Sequence, residues 1–442
     1  MVESSRQAIA FLSDYADPNE EVGMEEAGGQ NIYVRQMAAN LAELGWQVDI
    51  FTRKTHPDTP TILPHGPHCR TIHLPAGPEQ FIPRNELLGY MPEFLAAFQA
   101  FQTKQAIRYP LIHTNYWLSA WVGLELQKAD NIQLIHTYHS LGVVKYETMK
   151  SRPAIAEARL KVEREILEKA NCIIATSPQE QDSLRNWLPN TGQIEMIPCG
   201  TTANFHSIPK LDARQKLGWN PQQQVILYVG RFAPRKGIET LVRACEQFKR
   251  HGDGNFQLVL VGGSSSEQID NTERRRIEQL VQSLGLGEQT RFAGRIDHEW
   301  LPWYYSAADV CVIPSYYEPF GLVAIEAIAC CTPVIASKVG GLRFTVLPEE
   351  TGLLVPPKDE AALSEALARV LGNELWAKKL KKQATQNPNQ RFSWKNSAMQ
   401  LSDLYRYILA RSIMHDQPWN PKISRLRPPV EVERDPLPVA VV

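Results

Sequence analysis

The stretch from Val310 to Ala329 constrains the fold of this chain more than any other. It begins with a continuous apolar run, Val310-Cys-Val-Ile-Pro314, which is typical of a buried parallel strand. It ends with residues 322–329, whose composition favours a helix. The loop between them carries Glu318, and Glu326 lies in the helix. Ligands of open α/β sheets bind at the carboxyl ends of strands, so this stretch predicts a ligand site.

Apolar runs of the same kind alternate with helical segments along both halves of the chain. They are residues 8–13, 48–52, 70–74, 111–113, 133–136 and 172–176 in the first half, and 224–229, 257–261, 291–294, 310–314, 333–336 and 352–355 in the second. This alternation predicts mostly parallel sheets with helices on both faces. Residues 56–67 interrupt the pattern and are expected to form a loop.

Prolines and a glycine loosen the pattern at residues 197–222, which indicates a linker. We therefore expect an α/β fold of two Rossmann-like βαβ domains that face a central cleft, with the first at residues 1–200 and the second at 201–394. A helix at about 395–416 is expected to pack back on the first domain. The Pro-rich residues 417–442 are expected to form a mobile tail.

The composition excludes several classes of function. Lys and Arg number 47 and Asp and Glu number 48, so no long-range field favours nucleic acid or a membrane. No apolar run reaches the length of a membrane span, and residues 9–12 are too short for a signal peptide. The 7 Cys include no Cys-x-x-Cys pair, so we expect reduced core cysteines and no zinc site. These features predict a cytoplasmic protein whose anion sites are local.

Two loops that follow predicted strands could approach a phosphate. Gly28-Gly29 opens a helix and permits close backbone approach, although a tight turn has the same sequence. It is not the Gly-x-Gly-x-x-Gly dinucleotide fingerprint. In the second half, Arg231 and Lys236 share one loop and could clamp a diphosphate, although a solvated basic loop looks the same.

Glu318 and Glu326 flank a helix start whose free N–H groups could take a phosphate, those of Gly321, Leu322 and Val323. The two carboxylates could be an acid–base pair, or each could hold hydroxyls of a sugar and of a ribose. The helix start between them favours hydroxyl recognition. Taken singly, each is as readily an ordinary exposed glutamate.

Three histidines, His113, His136 and His139, lie at the ends of predicted strands in the first half. A metal triad is conceivable, but no carboxylate or cysteine stands beside them as a partner. We expect three separate polar contacts in a cleft and no metal.

Together these motifs resemble those of the retaining GT-B glycosyltransferases. The resemblance is to the family that holds sucrose synthase, sucrose-phosphate synthase, glycogen synthase and the mycothiol-pathway glycosyltransferase, and is strongest to sucrose-phosphate synthase. It runs from about Ile9 to about Leu409, and its main stretches are residues 27–34, 116–119, 136–141, 230–237 and 314–327. It implies the GT-B fold, retention at the anomeric carbon, no metal cofactor, and a leaving phosphate that takes the acceptor proton.

The resemblance also implies a role for each matched donor residue. Arg231 and Lys236 would hold the diphosphate, and Glu318 the hydroxyls of the donor sugar near the N–H groups of 321–323. Glu326 would bind the ribose and Arg295 would lie near the uracil. Gly29 would lie against the phosphate, and His139 near the transferred glucose.

The predicted acceptor-binding residues resemble those of two branches of this family. Gln30 matches the sucrose-phosphate synthase branch, whereas Asn31 and Tyr116 match the mycothiol enzyme, whose acceptor is inositol phosphate. Residues implied for an acceptor phosphate are Arg84, Tyr116, Ser140 and Arg159, with Lys145 as a further cation. Converging arginines suit a phosphomonoester. The partners implied are UDP-glucose and a sugar phosphate, fructose 6-phosphate first, with inositol phosphate or a sucrose synthase reaction as alternatives.

Two other classes of function remain open, an epimerase of GT-B fold and a non-catalytic nucleotide-sugar sensor. The arginines implied for an acceptor count against the first, and the complete donor set against the second. The chain departs from the family at Thr201-Thr202, where Val-Asp is usual, which leaves the hinge open. A monomer or a weak oligomer is expected.

Overall fold

A computed structural model describes residues 6–20, 27–149, 151–188, 192–252, 255–263, 269–373 and 391–413. The tail predicted at 417–442 and the last residues of the helix predicted at 395–416 lie outside these ranges. Within them the chain forms two parallel α/β units, each built on one sheet. None of the described helices is both long and apolar enough to cross a bilayer.

The first sheet has eight strands in the order β3-β4-β2-β1-β5-β6-β7-β8. Its strands are β1 (Gln7–Leu12), β2 (Trp46–Arg53), β3 (Ile62–Gly66), β4 (Cys69–Leu74), β5 (Leu111–Asn115), β6 (Gln133–Thr137), β7 (Cys172–Ala175) and β8 (Gln193–Met196). Its helices are α1 (Gly29–Glu43), α2 (Met91–Gln105), α3 (Tyr116–Ala129), α4 (Gly142–Glu147), α5 (Ala156–Lys169) and α6 (Pro178–Trp187), with a 3-10 turn at Leu87–Tyr90.

The prediction of a loop at 56–67 is wrong for β3, Ile62–Gly66. This strand pairs antiparallel with β4 at the edge of the sheet. Most of its residues are exposed, and Pro64 interrupts it, so it lacks the apolar run of a buried strand. Proline is tolerated on such an edge because one side of the strand needs no partner.

The second sheet has six strands, all parallel, in the order β11-β10-β9-β12-β13-β14. Its strands are β9 (Gln224–Val229), β10 (Phe256–Val261), β11 (Thr290–Gly294), β12 (Val310–Ile313), β13 (Val334–Ser337) and β14 (Gly352–Val355). Its helices are α7 (Lys210–Leu217), α8 (Ile238–His251), α9 (Ile269–Ser283), α10 (Leu301–Ala307), α11 (Leu322–Ala329), α12 (Leu342–Thr345) and α13 (Glu360–Gly372), with a 3-10 turn at Pro234–Lys236.

The central strands of both sheets are buried on both faces, as the apolar runs predicted. In β1, Ile9 and Phe11 pack into one core, and Ala10 and Leu12 into the core on the other side. Successive side chains of a strand point to opposite faces, so a run without polar residues requires helices on both. This places the carboxyl ends of the strands, with their loops, at one edge of each sheet.

The segment predicted as a linker at 197–222 contains helix α7, which belongs to the second unit. Arg214 of this helix is 2% exposed and donates to the carbonyl of Ala307 at 3.0 Å and to Asp309 at 2.8 Å. The helix carries few apolar residues, so hydrophobic periodicity does not reveal it.

The final helix, α14 (Trp394–Ile413), packs on the first unit. Nε1 of Trp46 donates to Oγ of Ser402 at 2.8 Å. The chain therefore crosses between the units twice, and the crossings touch: the N–H of Thr201 donates to the carbonyl of Phe392 at 3.0 Å. A Cβ on Gly200 would lie 2.1 Å from the nitrogen of Trp394, so only glycine fits at this crossing.

Candidate active site

The loops that follow β9 and β12 lie side by side at the carboxyl edge of the second sheet. The N–H of Tyr316 donates to the carbonyl of Arg235 at 2.8 Å. Gly237 has a φ of +68°, and a Cβ there would lie 2.0 Å from the carbonyl oxygen of Pro314. Because only glycine allows this approach, the sequence brings the cations of one loop against the carboxylate of the other.

Lys236 and Glu318 form an ion pair between these loops. Nζ of Lys236 lies 2.5 Å from Oε2 of Glu318, and the side chains are 17% and 15% exposed. Burial lowers the pKa of Lys236, against the pull of Glu318. Burial would raise the pKa of Glu318, but Lys236 and Arg235 hold it below its usual value. Two of the predicted donor residues are therefore each other's counter-ion.

Arg235 is a further cation at this edge that the sequence analysis did not single out. Its Nη1 donates to the carbonyl of Tyr317 at 3.4 Å. Burial lowers the pKa of Arg235; Glu318 raises it, while the charges of Arg84 and Arg231 lower it further. Arg84 belongs to the first unit, so the charge of a cation from each unit acts on the other across the cleft. The position of Arg235 in the same loop as Arg231 and Lys236 is the feature of the sequence that could have indicated it.

Helix α11 begins at the carboxyl end of β12 and faces the first unit. Gly321 caps it with a φ of +98°, a backbone conformation that favours glycine. The first N–H groups of a helix have no acceptor within it, and here they belong to Leu322 and Val323. Across the cleft, a Cβ on Gly29 would lie 3.2 Å from Cδ1 of Leu322. The structure thus brings the predicted phosphate-approaching elements of the two units together.

Tyr317 links the loop after β12 to the first unit. Its hydroxyl accepts a hydrogen bond from the N–H of Leu141 at 2.9 Å, and its side chain is buried. Two residues further on, the carbonyl of Pro319 accepts from Oγ of Ser177 at 3.4 Å. Tyr317 was not predicted from the sequence, because a contact between units leaves no local pattern.

Glu326 lies in helix α11 of the second unit and has polar partners of its own. The hydroxyl of Tyr305 donates to its Oε2 at 2.9 Å, and Nε2 of His298 lies 3.4 Å from its Oε1. The side chain is 8% exposed. Glu318 and Glu326 therefore have separate polar partners, which does not suit two carboxyls acting on one bond.

Arg295 follows β11 at the same edge of the second sheet. Its Nη2 lies 3.7 Å from Oδ1 of Asp297, and its side chain is 31% exposed. The N–H of Gly262 donates to the carbonyl of Gly294 at 2.8 Å, which joins the loops after β10 and β11. Arg295 is thus on the rim of the edge that carries Lys236.

His139 is held with a φ of +57°, which is uncommon for a residue with a side chain. Its Nε2 lies 2.9 Å from Oδ1 of Asn115, whose Nδ2 donates to the carbonyl of Leu12 at 3.2 Å. Burial lowers the pKa of His139 to about 3, so the ring is neutral at pH 7. Because Nε2 donates to an oxygen, Nδ1 carries a lone pair and can only accept. That suits contact with a sugar hydroxyl.

His113 and His136 lie in the interior and contact hydroxyls. His113 lies between Oγ1 of Thr137, at 2.8 Å from Nε2, and the hydroxyl of Tyr405. Nδ1 of His136 is 2.9 Å from Oγ1 of Thr114. Across the part of the chain that the structure describes, no three His, Cys, Asp or Glu side chains are grouped to hold a metal ion.

Arg159 and Glu163 form a buried pair, with side chains 2% and 0% exposed and Nε 2.6 Å from Oε1. Nη1 of Arg159 donates to the hydroxyl of Tyr116 at 3.0 Å, and Nη2 donates to the carbonyl of Ser140. Burial raises the pKa of Glu163 against the pull of Arg159. Three predicted acceptor residues, Arg159, Tyr116 and Ser140, therefore lie together in the first unit. Their observed hydrogen bonds join Arg159 to the other two.

Tyr116 is the first residue of α3 and has a φ of +74°. A positive φ on a bulky residue is costly and is kept where surrounding contacts require it. The guanidinium of Arg84 lies 6.0 Å from its ring and 5.7 Å from the ring of Tyr15. Lys145, the third predicted cation, has its Nζ 6.0 Å from the ring of Tyr146 on α4.

Gln30 and Asn31 are 7% and 1% exposed, and hydrogen bonds within the first unit engage both. The hydroxyl of Tyr15 donates to Oε1 of Gln30 at 2.7 Å. Oδ1 of Asn31 accepts from the N–H of Gly28 at 2.9 Å, and its Nδ2 donates to the carbonyl of Asp17 at 2.8 Å. Their observed contacts hold the loop before α1, and an acceptor contact by either remains a prediction.

Asp14, at the end of β1, is fully buried and gives a prediction about pH. Oγ of Ser119 donates to its Oδ1 at 2.5 Å, and its Oδ2 has no partner among the described residues. Burial raises the pKa of Asp14 to about 7, against the hydrogen bond from Ser119 and the charge of Arg53. The unfolded value is about 3.9, so the stability from the bound proton is full below pH 4 and is lost as pH rises through about 7.

We expect Asp14→Asn to remove this pH dependence. Its unfolding free energy minus that of the wild type should grow by up to about 4 kcal/mol between pH 4 and pH 8. Urea denaturation at several pH values measures the difference, with Asp58→Asn, whose side chain is 92% exposed, as the control. Parallel curves for Asp14→Asn and the wild type would contradict the assignment.

Comparison with known proteins agrees with this geometry. Residues 28–200 match the glycosyl transferase 4-like domain family, and residues 209–390 match the family described as glycosyl transferases group 1. The D-inositol 3-phosphate glycosyltransferase of Corynebacterium glutamicum (strain R) is 33% identical over 411 residues, which are 91% of this chain and 97% of that protein. The enzyme of that name from Corynebacterium jeikeium is 34% identical over 408 residues, 90% of this chain and 96% of its own.

Solved structures are also similar. A sucrose-phosphate synthase from Thermosynechococcus elongatus superposes with a TM-score of 0.86 and is 54% identical, covering 92% of this chain and all 100% of its own. HepE of Anabaena, solved in complex with UDP-glucose, has a TM-score of 0.71 at 20% identity, covering 91% of this chain and 100% of its own, and supports the fold alone.

Two facing Rossmann-like units, with cations and a helix start at the edge of the second, define a glycosyltransferase of GT-B fold. The fold class and the enzyme class expected from the sequence are confirmed. The chain belongs to the glycosyl transferases group 1 family. The roles implied for individual residues stay predictions.

Proposed function

We propose that this chain transfers glucose from UDP-glucose to fructose 6-phosphate, with retention, giving sucrose 6-phosphate and UDP. The observation that supports it most is the set of cations from both units at the cleft, Arg84 from one and Arg231, Arg235 and Lys236 from the other. Such a set suits two phosphorylated substrates that meet there. The 54% identity to a sucrose-phosphate synthase favours fructose 6-phosphate as the acceptor.

In the proposed reaction the bond between the glucosyl anomeric carbon and the diphosphate oxygen breaks on the face where the acceptor hydroxyl attacks. The hydroxyl oxygen forms the new bond to carbon, and its proton goes to the leaving phosphate. Arg231, Lys236 and the N–H groups at the start of α11 stabilise the charge that develops on the diphosphate. No side chain is then needed as a base.

Binding of the donor has to open the Lys236–Glu318 pair. The ammonium turns to the diphosphate and the carboxylate accepts hydroxyls of the glucose, so each charge exchanges one polar partner for another. Nδ1 of neutral His139 accepts a further hydroxyl of the sugar. Glu326, which already accepts from Tyr305, is left for the ribose, and Arg295 for the base.

A second candidate acceptor is inositol phosphate, because the curated relatives at 33% to 34% identity are D-inositol 3-phosphate glycosyltransferases. Both candidates are phosphomonoesters of polyhydroxylated molecules. The same phosphate contacts therefore suit either, and the two differ in the ring that carries the accepting hydroxyl.

The test is a substrate screen with the full chain. UDP-, ADP- and GDP-glucose and UDP-N-acetylglucosamine are each combined with fructose 6-phosphate, inositol 3-phosphate or free fructose, in buffer with EDTA. We expect UDP release and sucrose 6-phosphate from UDP-glucose and fructose 6-phosphate. The anomeric proton signal in the NMR spectrum should show that the glucosyl carbon keeps its α configuration, and EDTA should not reduce the activity. Product from inositol 3-phosphate alone, or equal rates with free fructose, would refute the proposed acceptor.

A further inference from the structure

Arg53, the last residue of β2, is a cation buried inside the first unit, with 2% of its surface exposed. Its guanidinium donates to three backbone carbonyls, those of Pro78 at 2.8 Å, Gln80 at 2.6 Å and Lys54 at 3.3 Å. Two of these carbonyls belong to the loop at residues 75–86, between β4 and the 3-10 turn. Arg84 lies in the same loop.

These contacts suit an arginine better than a lysine. Pro78 and Gln80 are exposed residues of the loop, and their carbonyls accept hydrogen bonds from the buried guanidinium. A guanidinium offers five N–H groups in a fixed plane, so one side chain can satisfy carbonyls from separate turns of a loop, whereas an ammonium is a point donor. Burial lowers the pKa of Arg53, and the charge of Asp14 opposes that effect. The buried cation thus has an ionisable partner at the end of β1, which is charged mainly above about pH 7.

Other contacts hold the loop as well. Nζ of Lys54 lies 3.1 Å from Oε2 of Glu79, and Ala76 is 1% exposed. Ile82 and Leu87 are 8% and 1% exposed and pack into the core, and the N–H of Gly77 donates to Glu93 at 2.7 Å. Between these anchors lies Phe81, which is 42% exposed. The carbonyls of Pro78 and Gln80 therefore fix the middle of the loop, and Ile82 anchors the part that leads to Arg84.

We propose that Arg53 is a positioning residue that holds the 75–86 loop so that Arg84 reaches the phosphate of the acceptor. Arg53 does not touch the acceptor, because its guanidinium is buried and bound to backbone carbonyls. It sets the preference for a phosphorylated acceptor over a neutral one by acting through Arg84. The substrate side of this inference rests on the proposed function.

The test compares acceptor preference in Arg53→Lys and Arg70→Lys. Arg70 is the matched control, since it lies on the neighbouring strand β4 and donates to both oxygens of Asp49 at 2.8 Å, outside the 75–86 loop. The quantity measured is kcat/KM for fructose 6-phosphate divided by kcat/KM for fructose. We expect it to fall about 10-fold or more in Arg53→Lys and to stay within about 2-fold in Arg70→Lys.

A double variant separates positioning from general stability. If Arg53 acts through Arg84, then Arg53→Lys combined with Arg84→Ala loses no more preference than Arg84→Ala alone. Additive losses would overturn the proposal, and so would equal losses with both acceptors in Arg53→Lys. The KM for UDP-glucose is expected to be unchanged in Arg53→Lys and in Arg70→Lys.

A measurement without substrates keeps the inference independent of the proposed function. Hydrogen exchange of the amides at residues 77–90 is expected to be faster in Arg53→Lys than in the wild type, with the rest of the first unit unchanged. If the wild type makes no product from fructose 6-phosphate, the proposed function fails while the exchange result still decides the role of Arg53. Unchanged exchange at 77–90, or faster exchange throughout, would overturn that role.

Discussion

Replacing Lys236 with methionine is expected to lower kcat/KM for glucosyl transfer by about 10²–10³-fold. Methionine keeps the length of the side chain but removes the charge that faces the departing diphosphate. The loss should appear in kcat as well as in KM for the donor, because the diphosphate gains charge as the bond breaks. Initial rates at saturating acceptor measure it, with Lys249→Met, which removes an exposed ammonium bound to the carbonyl of Gly285, as the control.

The same variant should change the pH dependence of the residual rate. Lys236 helps to hold the pKa of Glu318 below its usual value, so its removal raises that pKa. Below the raised pKa the carboxyl is protonated and accepts sugar hydroxyls less well, so the acidic limb of the pH–rate profile should move to higher pH. A variant that keeps the wild-type rate and the wild-type acidic limb would contradict the assigned pair.

Replacing Arg159 with methionine is expected to lower the unfolding free energy by about 3–5 kcal/mol. The reason is that Glu163, which has 0% of its side chain exposed, is left as a buried carboxylate without its cation. Urea denaturation measures the change. Arg369→Met is the matched control, since Arg369 is paired with Glu349 at 2.7 Å but both side chains are about half exposed, and its loss should cost less than about 1 kcal/mol.

The double variant Arg159→Met, Glu163→Gln divides the structural role of Arg159 from a binding role. Removing both charges should restore most of the lost stability, because a neutral amide is cheaper to bury than an unpaired carboxylate. If Arg159 also binds the acceptor phosphate, the KM for the acceptor stays raised in the stable double variant while calorimetric binding of UDP is unchanged. Recovery of the acceptor KM together with stability would show a structural role alone.

Local patterns in the sequence correctly predicted the strand and the helix that position the site. The apolar run before Glu318 is β12 and the helical composition after it is α11, with the bounds Leu322–Ala329 that were predicted. The two elements that were not predicted, β3 and α7, have weak local signals. β3 is an exposed edge strand, and α7 has few apolar residues. The periodicity of apolar residues arises when an element buries one or both of its faces with apolar side chains. Neither β3 nor α7 does so.

Contacts between distant residues were beyond local patterns. The sequence marked Lys236 and Glu318 as separate ligands, but their pairing depends on two loops that meet only through the fold. Arg159 was expected to point at an acceptor, and it is buried against a carboxylate of its own helix four residues on. Arg53 was not singled out, because a buried arginine that binds carbonyls of a loop has the same sequence signature as a surface one.

The hydrogen bond between Tyr317 and Leu141 has a consequence for how strongly each substrate binds in the presence of the other. Tyr317 is the neighbour of a residue predicted to hold the donor, and Leu141 is the neighbour of Ser140, which contacts Arg159. Any rotation of the units that alters this bond changes both substrate pockets together. By thermodynamic reciprocity, a donor that tightens the binding of the acceptor by some factor has its own binding tightened by the acceptor by that same factor.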